Sequence, residues 1–144
     1  MITRKRRDIM AITTRLKCDK CGEVFDMKGS NTCPKCKQAV NIPQDGGLRI
    51  YRKGNPAGAA VGYGVYLNQQ PYGHVANCGD VMIPLALGKY TLTMTCGMTR
   101  NCTPLAFEIT NENPFIFVKG SLKMGFWSNT IMIEKVKESD MPKY

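Results

Sequence analysis

Tyr90-Thr91-Leu92-Thr93-Met94-Thr95 is the stretch that decides the fold class. Large apolar side chains and threonines alternate strictly. Successive side chains of a β-strand point to opposite faces, so this segment buries one face and half-exposes the other. The same reading predicts further strands at Leu48 to Arg52, Val61 to Leu67, Tyr72 to Ala76 and Val81 to Leu85. Downstream it predicts strands at Leu105 to Thr110, Phe115 to Lys119, Lys123 to Trp127 and Ile131 to Val136. Asn68-Gln69-Gln70-Pro71, Asn77-Cys78-Gly79-Asp80 and Asn111-Glu112-Asn113-Pro114 supply turn chemistry between them. No stretch carries a convincing helical period. Short strands at this spacing imply a β-sandwich or a small barrel, and the expectation is an antiparallel β-sandwich of about eight strands over residues 48–137, with 138–144 as a tail.

Upstream of the sandwich the chemistry changes. Cys18-Asp19-Lys20-Cys21-Gly22 is answered after eleven residues by Cys33-Pro34-Lys35-Cys36. Each Cys-x-x-Cys knuckle aims two thiolates at one ion, and the hairpin between them folds one pair over the other. The predicted ligands are Cys18, Cys21, Cys33 and Cys36. Thiolates suit Zn2+, and four of them complete a tetrahedron with no open position, which marks a structural site. Iron on the same four sulfurs is the alternative. Residues 14–42, about thirty in number, cannot bury enough apolar surface to fold alone, so the metal supplies the missing free energy. Gly22 suits the tight turn after the first knuckle, whereas Lys37 stands where a glycine would be comfortable after the second.

Through these two knuckles residues 14–42 resemble the zinc-ribbon family, whose members serve as nucleic-acid binders, protein adaptors or inert staples. Three stretches of the second unit resemble the PEGA-like bacterial β-sandwich domains: Leu48-Arg49-Ile50-Tyr51-Arg52, Val65-Tyr66-Leu67-Asn68 with Pro71-Tyr72-Gly73, and Leu85-Ala86-Leu87-Gly88-Lys89-Tyr90-Thr91-Leu92. That resemblance implies a binding or structural sandwich with no shared enzymatic chemistry. Pro43-Gln44-Asp45-Gly46-Gly47 reads as a slack linker, 43–47, leaving the two units loosely oriented.

The formal charge of +9 points first to an acidic partner. Its distribution weakens that reading, because neither the first 45 residues nor the remainder owns the excess basic charge. Four thiolates add four negative charges and a zinc ion two positive ones, so the metal-bound chain carries +7. Lys17, Lys20, Lys35 and Lys37 around the knuckles offset that local negative charge, or alternatively contact phosphate. Residues 1–13, with Arg4-Lys5-Arg6-Arg7, read as a flexible basic tail, and Met10 reads as a natural start. The apolar run after the basic cluster is too short for a signal-peptide core, and Val81 to Leu87 and Pro56 to Leu67 are too short to span a bilayer. Seven cysteines, four of them in knuckles, indicate metal rather than disulfides, and the expected compartment is cytoplasmic.

Candidates for catalysis are few. His74 is the only histidine, with Cys78 four residues on and Asp80 following. A Cys-His-Asp nucleophile is conceivable there, but catalytic partners usually converge from different elements, and these occupy one short segment. The bland reading is a strand-face histidine beside a small thiol. Cys96 and Cys102 could approach each other across a loop, with reduced thiols as the default. Gly62-Tyr63-Gly64 lacks the βαβ unit that a dinucleotide fingerprint requires. Tyr51, Tyr63, Tyr66, Tyr72, Phe117 and Trp127 would form a platform for sugars or single strands only if they shared a face with Arg49, Arg52 and Lys53. The expectation is a non-enzymatic zinc protein working as a protein-interaction or scaffolding module, with no catalytic residues. The alternative is nucleic-acid binding through ribbon and basic tail.

Overall fold

The computed structural model describes residues 12–54, 62–97, 99 and 101–143. Two sheets pack face to face, and no closed barrel forms. The larger sheet has six strands. In chain order these are β1 (Thr13–Lys17), β2 (Val24–Asp26), β3 (Gly46–Arg52), β6 (Asp80–Leu85), β9 (Phe115–Lys123) and β10 (Thr130–Val136). Their spatial order is β10-β9-β3-β6-β1-β2. The smaller sheet contains β4 (Tyr63–Leu67), β5 (Gln70–Val75), β7 (Gly88–Cys96) and β8 (Leu105–Ile109), in the order β5-β4-β7-β8. One 3-10 turn, Glu138–Asp140, follows β10.

The period-two pattern explains the core. Leu92 and Met94 of β7 point inward with Val65 and Tyr63 of β4, and meet Leu48, Ile50, Ile83, Val118 and Ile131 from the larger sheet. Alternate residues Thr91, Thr93 and Thr95 stay at least partly exposed, as the leading stretch predicts. Most neighbouring strands are antiparallel, but β3 runs parallel to β9 and β1 parallel to β6. Both parallel pairs join strands far apart in the chain, where the long intervening segment can make the crossover that a tight hairpin cannot.

Two expectations need correction here. The strand expected at Lys123 to Trp127 does not form: β9 runs without a break to Lys123, and 124–129 is the loop that returns to β10. Aromatic and methionine side chains raised the strand signal, but Phe126 and Trp127 have no sheet beneath them and are each 90% exposed. Nor do residues 43–47 act as slack between two loosely oriented units. Gly46 and Gly47 open β3 and are buried, and Thr13 and Thr14 of β1 pair with Val81 and Met82 of β6, so the cysteine hairpin shares a sheet with the sandwich.

Gly46 is there for close approach. A Cβ at this position would lie 1.9 Å from the Pro114 carbonyl oxygen, which is itself held by the Gly47 N–H at 2.9 Å. Gly46→Ala therefore forces β3 away from its neighbour. A loss of roughly 2–3 kcal/mol is expected in urea unfolding, as for other overpacked core sites, and an unchanged midpoint would contradict this packing.

Candidate metal centre

Strands β1 and β2 form the hairpin that carries the first knuckle, with Leu16 paired to Phe25. The two knuckles repeat the same backbone pattern. Cys18 N–H donates to the Glu23 carbonyl at 2.8 Å and Gly22 N–H to Cys18 at 2.9 Å; Cys33 N–H donates to Gln38 at 2.9 Å and Lys37 N–H to Cys33 at 2.9 Å. The residue after each knuckle takes positive φ, +80° at Gly22 and +66° at Lys37. The glycine missing from the second knuckle is thus a real local cost. Asn31 closes the second loop, its Nδ2 donating to the Val40 carbonyl at 2.7 Å while Val40 N–H returns to Asn31. Residues 39–42 do not continue as a strand; only an isolated bridge joins Thr32 to Ala39.

Together the knuckles bring all four sulfurs within 4.8 Å of one another, a cluster that could hold a metal ion. Cys18 and Cys36 Sγ are 3.7 Å apart, and Cys21 and Cys33 Sγ 3.5 Å. A tetrahedron with zinc–sulfur bonds of 2.3 Å has edges of roughly 3.8 Å, so the spacing is that of a four-sulfur shell. Cys18 and Cys33 are buried and pack with Val40 and Phe25, while Cys21 is exposed.

The thiols compete for negative charge. The N–H groups of Cys21 and Lys20 hold Cys18 down at about 7, against the opposing effect of burial and with help from the Cys21 and Cys36 thiols. The Glu23 N–H pulls on Cys21, but burial and the three neighbouring thiols outweigh it and push Cys21 up to about 12. In the second knuckle burial opposes ionisation of Cys33, yet the N–H groups of Cys36 and Lys35 hold it low. Cys36 is raised, because burial and the thiols of Cys18 and Cys33 overcome the Gln38 N–H. One thiolate per knuckle is favoured and the second is suppressed. A cation at the centre removes that conflict.

Arg15 fastens this unit to the smaller sheet. Its Nε meets Asp26 Oδ1 at 2.8 Å, and Nη1 donates to the backbone carbonyls of His74 at 2.6 Å and Tyr72 at 3.3 Å. Lys17 lies over the Tyr72 ring and Lys20 donates to Gln38, so two of the four surrounding lysines are engaged within the protein. Replacing Lys37 with glycine should relieve the left-handed strain, which costs a non-glycine residue about 1–2 kcal/mol, less the extra chain entropy glycine loses. Lys37→Gly is expected to tighten metal binding about twofold to fivefold in a chelator competition; weaker binding would mean that the lysine side chain serves the site in another way.

The other candidates do not assemble. The His74 ring lies against Gly62 and Gly64, whereas Cys78 Sγ lies against Gly54 beyond β3, and the Asp80 carboxylate is taken by Arg49. Cys96 and Cys102 are free thiols, the first in the apolar core and the second packed against it. Among the described residues no second group of three metal-ligating side chains gathers. The aromatics do not share one platform: Tyr63 is fully buried under the Arg52 guanidinium, 3.8 Å above its ring, while Trp127 stands at a loop tip.

What sequence reasoning missed is the buried arginine set. Arg49 and Asp80 form a two-toothed ion pair, Nε to Oδ1 at 2.9 Å and Nη2 to Oδ2 at 2.7 Å, and Nη2 also reaches the Pro142 carbonyl at 2.8 Å. This draws the segment after β10 over the outer face of the larger sheet, with Met141 buried, where a tail was expected. Arg52, grouped in the sequence with Arg49 and Lys53 as a possible platform cation, instead lies fully buried on the face of Leu48 and Ile50, where it donates to the Val75 carbonyl at 3.1 Å. No helix in the described residues is long and apolar enough to cross a membrane. Comparison with protein-family models, curated proteins and solved structures finds no match, so neither resemblance gains support from a relative.

Proposed function

We propose that this chain is a non-enzymatic protein-interaction or scaffolding module, cytoplasmic, whose first forty or so residues are held folded by a structural Zn2+. The observation that carries the reading is the four-thiol cluster within 4.8 Å, built on a hairpin whose first strand is also a strand of the sandwich. Cys18, Cys21, Cys33 and Cys36 would hold the ion, which supplies cross-linking and charge neutralisation. A four-sulfur shell leaves no coordination position for a substrate, so the site's contribution is to the surface it shapes. Iron would fit the same four sulfurs.

The nucleic-acid alternative relies on the ribbon and the basic tail; Arg4-Lys5-Arg6-Arg7 lies outside the described residues, and at the ribbon the contacts of Lys17 and Lys20 count against it. Binding of the zinc-loaded chain to mixed-sequence DNA and RNA at two salt concentrations decides between the two. The scaffolding reading expects weak binding with a shallow salt dependence. Tight binding with a steep salt slope would overturn it.

A further inference from the structure

Among the described residues six large hydrophobic side chains are exposed, and the three most exposed share one loop: Met124 at 61%, Phe126 at 90% and Trp127 at 90%. The loop caps the β9–β10 hairpin, whose pairing runs in register from Phe117–Val136 to Lys123–Thr130. Phe126 and Trp127 touch each other edge to face, ring centroids 4.9 Å apart, while staying clear of the sandwich. The stalk beneath them is braced. Ile131 N–H donates to the Asn101 carbonyl at 2.9 Å, Thr103 N–H to Ile131 at 3.0 Å, and Ile133 N–H to Thr103 Oγ1 at 2.9 Å. The tip is therefore a supported, convex apolar finger.

From Gly120 to Ile133 the one charged residue is Lys123, at the foot of the finger, and the whole chain is strongly basic. A convex apolar tip with a cation at its base, on a protein of positive charge, matches the chemistry of an anionic lipid surface. Tryptophan favours the bilayer interface, where its apolar ring and its indole N–H are both satisfied, and phenylalanine beside it adds apolar surface to bury. A single-strand nucleic-acid platform would need a cationic track for the backbone beside the rings, and Lys123 alone does not make one. We infer that the β9–β10 tip is a membrane-surface anchor: Met124, Phe126 and Trp127 enter the interfacial layer of an anionic bilayer while Lys123 meets its headgroups. The chain lies on the surface without crossing it. This inference concerns a different face from the cysteine cluster and is independent of which metal fills it.

Trp127 is the single tryptophan of the chain, so its fluorescence reports on the tip alone. The zinc-loaded full chain is mixed with vesicles of phosphatidylcholine, with and without phosphatidylglycerol, and followed by emission and co-sedimentation. Anionic vesicles should shift the emission to the blue and carry the protein down; neutral vesicles should do so weakly. The F126S/W127S double variant, altered only at exposed positions, should keep the far-UV spectrum and metal content but lose roughly tenfold or more in partitioning. Lys123→Glu should lose about fivefold or more. Undiminished vesicle binding by the double variant would overturn the inference, as would no shift at low salt. Quenching by oligonucleotides without a vesicle response would assign the tip to nucleic acid. A concentration-dependent blue shift without lipid would assign it to a second copy of the chain.

Discussion

Stripping the metal with a strong chelator is expected to unfold residues 13–42, strand β1 included, while leaving the sandwich of β3 to β10 standing. The cysteine unit has a small apolar centre, Cys18, Cys33 and Val40 with Phe25 and Cys36 against it, and three of these five contribute only through thiols that repel each other once ionised. A structural zinc site supplies of order 10 kcal/mol, far more than such a centre can replace. The sandwich core, by contrast, comes from residues of β3 to β10. The amides of Cys18 and Cys33, bonded to Glu23 and Gln38, should lose hydrogen-exchange protection together, and those of Leu48, Ile50 and Leu92 should keep theirs. Strand β1 belongs to both parts, so β6 should also lose its edge neighbour. With Leu16 uncovered, the sandwich should weaken by about 1.5–3 kcal/mol. Global unfolding on chelation, or none anywhere, would contradict this division.

Replacing Asp80 with alanine is the second large effect. Arg49 and Asp80 are both buried, and their register places them diagonally across β3 and β6, since Tyr51 faces Asp80 and Arg49 faces Met82. Removing one partner of a buried pair costs roughly 3–5 kcal/mol, because the remaining charge loses its counter-charge without regaining water. For a chain of this size that lowers the melting temperature by roughly 6–20 °C. The double variant Arg49→Met with Asp80→Leu should recover most of the loss, as apolar side chains of similar volume fill the site. It should also free the C-terminal segment, which Arg49 Nη2 holds through the Pro142 carbonyl, and expose Met141. A loss under about 1 kcal/mol for Asp80→Ala would place the pair among ordinary surface ion pairs.

Most of the sandwich was legible because its strands are half-buried and alternate. Tyr90 to Thr95 lies within β7, and the strands read around Leu48, Val65, Val81, Leu105 and Ile131 each match an observed element to within a few residues. The cysteine cluster was legible for a different reason: paired thiols at knuckle spacing have few other uses, and the sulfurs do converge. Alternation says what faces a core but not which strand lies beside which. The parallel joins of β1 to β6 and β3 to β9 followed from no local pattern, and they turn the glycine pair at 46 and 47 from slack into a close contact. Burial of Arg49 depends on Asp80 and Pro142, far away in sequence, and arginine by itself reads as surface. Phe126 and Trp127 misled because composition scores an aromatic as a strand former whether or not a sheet lies beneath it.

The central claim is that one zinc ion, held by four thiolates, folds the first part of the chain. Elemental analysis with X-ray absorption on protein purified without added metal tests it most directly. The account predicts one zinc per chain, four sulfur neighbours at about 2.3 Å, and loss of the metal in Cys33→Ser. Of the three cysteines outside the knuckles, exposed Cys78 should react readily with a thiol reagent while zinc is bound, half-buried Cys102 more slowly, and core Cys96 only on unfolding. A folded, metal-free chain in which the knuckle thiols titrate freely would contradict it, and so would iron in place of zinc.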